Sequence, residues 1–347
     1  MTPPDARSPK KKAAPRAKAS AKATSKPSSK GTSKAPSKKA DGVIVVTGIC
    51  GRLGKKVARL LHRDRAVIGV DRRPFPDKPK DIDHRQVDMR RKKLKDVFRE
   101  GNVEAVIHLG VMHDPRASAA DHHSWNVAGF QKLLEYVTQF EVPKLIVLSS
   151  ANVYGPHSEN PQFLTEEAPL LGGQNFGEIR DLIEVDMLAQ SFFWKLPSTE
   201  TVILRPVHIL GTVKNAPSNF LRLPTIPTLM GFDPMVQVIH EDDVVRAIAQ
   251  ALTPGVKGVF NVAGPEPLPL SRIIKLLGRP SVAFPYTLGK MMLQRMWALR
   301  LTNFPAPELD HIRYVCMVDD KRARDVLDFY PEHGIEETVR AVDVERW

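Results

Sequence analysis

Only two of the 347 residues are cysteines, Cys50 and Cys316, and no C-x-x-C pair occurs. A disulfide framework and a thiolate metal site are thereby excluded, and a reducing, cytoplasmic compartment is expected. No run of 18 apolar residues exists, so neither a membrane span nor a membrane partner is expected. Acids are almost missing from the first 40 positions, where Asp5 stands alone against ten lysines, Arg7 and Arg16. That stretch holds +11 of the net charge of +12 and leaves the other 307 residues close to neutral.

The same stretch lacks any aromatic or large aliphatic residue after Met1. A segment of Lys, Ala, Ser, Pro and Thr cannot bury enough apolar surface to offset its ordering entropy, so residues 1–40 are expected to form a disordered tail. No apolar stretch follows its charges, which argues against a secretion signal, and its lysines argue against an arginine-rich transit peptide. Loose, salt-sensitive polyanion contact is the most this chemistry supports, since no aromatics are interleaved to read bases. The eleven histidines are scattered, and the adjacent His122 and His123 would project in different directions on a helix. No metal site is expected.

What is present begins at Val43–Gly54, V-I-V-V-T-G-I-C-G-R-L-G. Four continuously apolar residues predict a parallel strand buried on both faces. Gly48, Gly51 and Gly54 then follow at three-residue spacing and open a helix over about Leu53–Leu61. One such glycine permits a sharp turn, one lets backbone N–H groups reach a pyrophosphate, and one lets helix and strand pack closely. A second apolar strand, Ala66–Val70, ends at Asp71, 23 residues after Gly48, where a ribose-binding carboxylate belongs.

Further strands are predicted at Val103–Leu109, Lys144–Ser149 and Thr201–Arg205, with amphipathic helices between them. Trp125–Val137 puts Val127, Phe130, Leu133, Leu134 and Val137 on one face, and Glu178–Lys195 repeats the spacing. Alternating strand and helix imply an α/β fold, a doubly wound parallel sheet of the Rossmann type. The expected organisation is a tail over 1–40, a dinucleotide-binding domain over 41–205, and a smaller substrate lobe over 206–347 with returning Rossmann elements.

These segments together resemble the extended short-chain dehydrogenase/reductase family, the NAD-dependent epimerases and dehydratases of nucleotide sugars. The matching motifs are Thr47–Gly54, V-D-R-R at Val70–Arg73, V-D-M at Val87–Met89 and V-I-H-L-G at Val106–Gly110. Further along come L-S-S-A-N-V-Y-G at Leu148–Gly155, L-R-P-V-H-I-L-G at Leu204–Gly211 and I-H-E-D-D-V at Ile239–Val244. The resemblance implies that Gly48, Cys50, Gly51, Arg52, Leu53 and Gly54 surround the pyrophosphate. Asp71 would hold the adenosine ribose, which favours NAD, while Arg72 beside it could accommodate the extra phosphate of NADP. Asp88 and Met89 would flank the adenine, with Leu109, Gly110, Val111, Asn126 and Ser149 on the cofactor side. His208 and Asn219 would face the substrate, a nucleotide sugar, and any assembly would be a homodimer.

The family works through a Tyr, a Lys four residues on, and an upstream hydroxyl. Ser150 fits the hydroxyl, but Phe176 and Arg180 stand at the Tyr and Lys positions, and Glu184 matches an acid four residues further. Phenylalanine carries no titratable group, whereas Arg180 keeps the charge. Tyr154 is the nearest phenol and a substitute base to consider, while Glu178 and Asp181, the other possible bases, read better as solvated acids at a helix start. The Y-x-x-x-K at Tyr286–Lys290 lies 136 residues beyond Ser150 and is read as coincidence. An enzyme with a rearranged acid/base set, a non-catalytic NAD-binding sensor or scaffold, and a tail-tethered polyanion binder are the functions in competition.

Overall fold

The computed structural model describes residues 42–112, 117–174, 177–213, 216–301 and 306–343. The basic tail and Phe176 lie outside these. Strands β1 (Val43–Thr47), β2 (Ala66–Asp71), β3 (Asp83–Gln86), β4 (Val103–His108), β5 (Lys144–Leu148) and β6 (Glu200–Pro206) are interleaved with helices. These are α1 (Arg52–Leu61), α2 (Leu94–Glu100), α3 (Ala119–His123), α4 (Gly129–Gln139) and α5 (Gly177–Lys195). The lobe then adds β7 (His208–Leu210), β8 (Ile226–Leu229), β9 (Met235–Val236) and β10 (Val238–His240). After α6 (Glu241–Gln250) comes β11 (Gly258–Val262), then β12 (Leu268–Pro269), α7 (Leu270–Leu277), β13 (Ser281–Phe284), α8 (Tyr286–Ala298), α9 (Lys321–Leu327) and α10 (Ile335–Arg340).

Seven strands form one parallel sheet in the order β11-β6-β5-β4-β1-β2-β3, which is a doubly wound Rossmann sheet. The continuous apolar runs are explained by burial on both faces. Ile44, Val46, Ile107, Ile146 and Leu204 pack with Val57 and Leu61 of α1 and with Val244 and Ile248 of α6. The alternate residues Val45, Val106, Leu145, Val147 and Ile203 pack with Phe98 of α2, Phe130 and Leu133 of α4, and Val185 and Phe192 of α5. A third core of Leu210, Phe220, Ile226, Leu229, Val238, Leu270 and Ile273 sits in the lobe.

One expected helix is interrupted. Residues Ser124–Ala128 form a π-turn between α3 and α4, and Trp125, Asn126 and Val127 are all buried. The extra residue per turn lets consecutive side chains point inward, which an unbroken 3.6-residue period forbids. Downstream, Tyr136 is buried and Leu134 only half so, shifting the face expected from the sequence.

Arg205 of β6 and Asp186 of α5 are 1% and 0% exposed and pair bidentately, at 2.9 Å from Nε and 2.7 Å from Nη2. Ser149 and Gln190 donate to the same carboxylate, at 2.6 and 2.8 Å. Arg205 also donates to the Tyr154 hydroxyl, which in turn donates to Asn261 of β11. Replacing Asp186 with Ala leaves a buried, unpaired guanidinium and should destabilise the fold by about 3–5 kcal/mol in urea unfolding. Adding Arg205→Met should recover a large part of that loss, whereas a deficit of Asp186→Ala below about 1 kcal/mol would sink the account.

Candidate active site

Strand order reverses between β1 and β4. Open α/β sheets take ligands at that point, beyond the carboxyl ends of the strands. Gly48 turns the chain there at φ +72°, a left-handed conformation that costs glycine little. A Cβ on Gly48 would sit 2.7 Å from the Leu109 carbonyl carbon, so the loops after β1 and β4 run in contact. A Cβ on Gly54 would sit 2.4 Å from the Gly48 carbonyl oxygen, where only glycine fits. Gly51 is different: its Cβ would meet only that same oxygen, at 3.1 Å, and an Arg73 nitrogen, at 3.9 Å. Gly51 caps α1, no side chain bonds the cap, and the first turn holds no acid. The amides of that turn and the helix dipole form an end suited to an anion.

Asp71 terminates β2 and is 5% exposed. Its carboxylate accepts four hydrogen bonds, from the Cys50 and Arg73 backbone N–H groups and from Arg73 Nε and Nη2, at 2.9–3.1 Å. Burial alone would raise its pKa, but the Arg73 hydrogen bonds and charge hold it below the ordinary value. Cys50 is pushed the other way, to about 11, by burial and by Asp71. Arg72 and Arg90 lie over the Trp125 ring at 4.7 and 5.3 Å. Trp125 donates to the Gly110 carbonyl at 2.9 Å, and the Asn126 amide holds Met112 through both backbone groups, at 2.7 and 3.3 Å. The π-turn thus fixes the loop Leu109–Met112, and Asn126 acts by positioning that loop.

Several expected site residues are placed otherwise. Met89 is 2% exposed and packs in the core against Gly110 and Gly129, while Asp88 is paired with Arg90 at 2.6 Å. Ser149 is turned inward to Asp186 and so is committed to the buried network. Tyr154, 1% exposed and held between Arg205 and Asn261, is unsuited as a base, since burial pushes its pKa to about 12. Arg52 donates to the Thr212 carbonyl, and Leu53 is buried while Leu109 and Val111 are half-buried. Ser150 caps the short turn Ala151–Val153 at 3.2 Å and remains partly exposed. Arg180 is exposed on α5, its stem over Gly173.

Asp181, expected as a solvated acid, is 8% exposed, and its buried Oδ2 has no hydrogen-bond partner among the described residues. Burial raises its pKa against the pull of His123, 3.6 Å away, which also lies 3.7 Å from Glu184. A second group, His240, Asp242 and His333, clusters at the start of α6. There the two imidazoles stack at 3.9 Å and 18°, so their nitrogen lone pairs lie in near-parallel planes and do not converge on an ion.

In the lobe, His208 is half-buried against His311, ring centroids 5.7 Å apart. The buried atoms His208 Nδ1, Asn219 Oδ1 and Arg313 Nε have no hydrogen-bond partner among the described residues. Arg313 lies over the Phe232, Tyr286 and Tyr314 rings at 4.2–5.2 Å. Sequence reasoning passed over His311 and Arg313, which no motif marks. Asp186 and Asn261 had one usable signal: an arginine inside the apolar run T-V-I-L-R requires a buried partner.

The sequence pattern of the NAD dependent epimerase/dehydratase family matches residues 44–263. An uncharacterized protein of Mycobacterium tuberculosis is 26% identical over 313 residues, 87% of this chain and 82% of that protein. The UDP-glucuronate 4-epimerase of Thermodesulfobacterium geofontis is 23% identical over 331 residues, covering 86% and 94% of the two chains. Among solved structures, UDP-glucose 4-epimerase of Thermotoga maritima with UDP-glucose superposes with a TM-score of 0.68 at 19% identity, over 86% of this chain and 97% of that one.

The glycine geometry predicts a split outcome. Gly54→Ala should lower the melting temperature by several degrees, as expected for a loss of about 1–3 kcal/mol from overpacking against backbone. Gly51→Val should leave it within about 2 °C of the parent. Equal effects would contradict the assignment.

The buried histidines give a pH dependence. Burial lowers His108 to about 4, and burial with the neighbouring His208 lowers His311 to about 3, from an ordinary 6.5. Both are neutral when folded, so their contribution is complete above pH 6.5 and is lost as acidification charges the unfolded chain. Each should cost up to about 1.4 kcal/mol per pH unit between that point and its folded pKa, about 4 for His108 and about 3 for His311, and His108→Asn should remove one such share from the slope of unfolding free energy.

Proposed function

The chain belongs to the NAD-dependent epimerase/dehydratase family, and from that premise we propose that it binds NAD at the β1–β4 switch point and a nucleotide sugar in the lobe. The observation that carries this reading is the start of α1, where Gly51 leaves the cap without a side chain and the first turn without an acid, with Asp71 bonded to the same loop from the next strand. Residues 41–205 would hold the dinucleotide and 206–347 the substrate. The pyrophosphate would lie on the amides after Gly51, and a ribose hydroxyl would take the place of Arg73 on Asp71. Arg72 and Arg90, both stacked on Trp125, leave room for a cofactor with an added phosphate.

The solved relative that holds UDP-glucose, and the unpartnered polar atoms of His208, Asn219 and Arg313, support a nucleotide sugar as the second ligand. Bound NAD would supply a hydride acceptor and donor. The chain itself must then move the proton of the substrate hydroxyl. Ser150 can orient that hydroxyl, and Arg180 can hold a ribose or a developing negative charge. With phenylalanine at 176, no phenol stands at the usual position, and Tyr154 is locked in the core. Asp181, raised by burial and beside His123, is the described group whose chemistry best suits a substitute acid or base. Activity is accordingly altered or weak, and a non-catalytic NAD-binding sensor is the second reading, favoured by the phenylalanine.

Mass spectrometry of small molecules released from the purified protein separates these readings. NAD with a nucleotide sugar is expected; NAD alone favours the sensor, and no dinucleotide, or Gly51→Val binding NAD as tightly as the parent in calorimetry, overturns the cofactor site. Phe176→Tyr with Arg180→Lys should raise turnover of a nucleotide sugar by about 10²–10⁴-fold if only the acid/base pair is missing. If Asp181 serves instead, Asp181→Asn abolishes the parent's turnover while NAD affinity stays unchanged.

A further inference from the structure

The lobe carries a helix with two apolar faces. On α8, Gly289 is buried against the Phe284 ring, and Tyr286 and Leu293 pack on the lobe core. On the opposite side Leu288, Met291, Met292 and Leu299 follow helical i, i+3, i+4, i+11 spacing and are 48–68% exposed. Val282 before the helix and Leu301 after it are 57% and 69% exposed. A helix apolar on both sides needs a second neighbour, because a soluble surface helix keeps its outer face polar.

The charge around that stripe has one sign. Between Glu266 and Glu308 the chain contains Arg272, Lys275, Arg279, Lys290, Arg295 and Arg300 and no acid. Arg279 is turned inward to Asp343, whereas Arg272, Lys275, Arg295 and Arg300 are exposed. Two acids on packed elements are already engaged, Asp310 by the Tyr286 hydroxyl and Asp233 by Ser271.

We propose that α8 docks the lobe on an anionic lipid bilayer. Leu288, Met291, Met292 and Leu299 enter the boundary between headgroups and acyl chains, and Arg295 and Arg300 meet lipid phosphates. An apolar stripe that carries Arg295 within it, leads to Arg300 and has no acid on its own helix matches such a surface in both polarity and charge. No helix among the described residues is long and apolar enough to cross a membrane, so the contact is interfacial. The sequence-based expectation of no membrane partner rested on run length, which does not detect an interfacial helix. This contact stands independently of the cofactor reading.

Full-length protein is sedimented with vesicles of phosphatidylcholine containing about one-third phosphatidylglycerol, and with phosphatidylcholine alone. Residues 1–40 are common to every variant, so differences report the lobe. Leu288→Glu with Met292→Glu should weaken partitioning about tenfold or more, and the deficit should persist at roughly 0.5 M salt, where screening acts within about 4 Å. Arg295→Gln with Arg300→Gln, which changes only exposed side chains, should weaken binding to anionic vesicles about 25-fold, fivefold per charge. Both deficits support the proposal. Variants that sediment like the parent overturn it, as does a dimer abolished by the glutamates while vesicle binding is unchanged, which would assign the stripe to a second copy. If the glutamate variant fails to fold, the arginine pair alone decides.

Discussion

The ion pair between Arg205 and Asp186 constrains the Rossmann body more than any other contact. Two charges removed from water cost several kcal/mol each unless every remaining donor and acceptor is matched. Here each is matched by a different segment: Ser149 at the end of β5, Gln190 on α5, Tyr154 on the following turn, and the Glu166 carbonyl. Asn261 extends the set into β11 and bonds the Leu164 and Asp319 carbonyls. Sheet, helix and returning lobe segments therefore converge on one buried guanidinium. The same pair sets where α5 lies, and α5 carries Arg180 toward a turn whose cap is Ser150.

A second set of contacts joins the phosphate-loop helix to the lobe. Lys56 of α1 reaches Glu241 and Asp242 at the start of α6, at 2.9 and 2.6 Å. Glu241, 2% exposed, also receives the Thr212 hydroxyl and the Val213 amide. Arg52 closes the circuit on the Thr212 carbonyl. The helix that would face the pyrophosphate and the segment that leads into the lobe therefore share one buried carboxylate.

The parts of the structure legible in the sequence are those fixed by local backbone chemistry. Val43–Gly54 announces strand, turn and helix because only glycine fits Gly48's dihedral and Gly54's contact, and Asp71 ends an apolar run that must be a strand. Inward-facing polar groups were not legible. Ser149 and Tyr154 stand in a motif that reads as a site, yet their partners Asp186 and Asn261 lie 37 and 107 residues away. Met89 follows an acid on a surface loop, and only the close approach of Gly110 and Gly129 draws it into the core. The π-turn at Trp125 was invisible to a 3.6-residue period. Phe176, aligned by resemblance with the family's Tyr, lies outside the described residues.

On the proposed cofactor reading, Arg73 would be a resident competitor for the dinucleotide at Asp71. The Asp71 carboxylate is closed by the chain's own guanidinium, itself 56% exposed and free to swing into solvent, and a ribose would have to displace it. The affinity for a ribose there would be the intrinsic affinity scaled by the fraction of molecules in which Arg73 stands away.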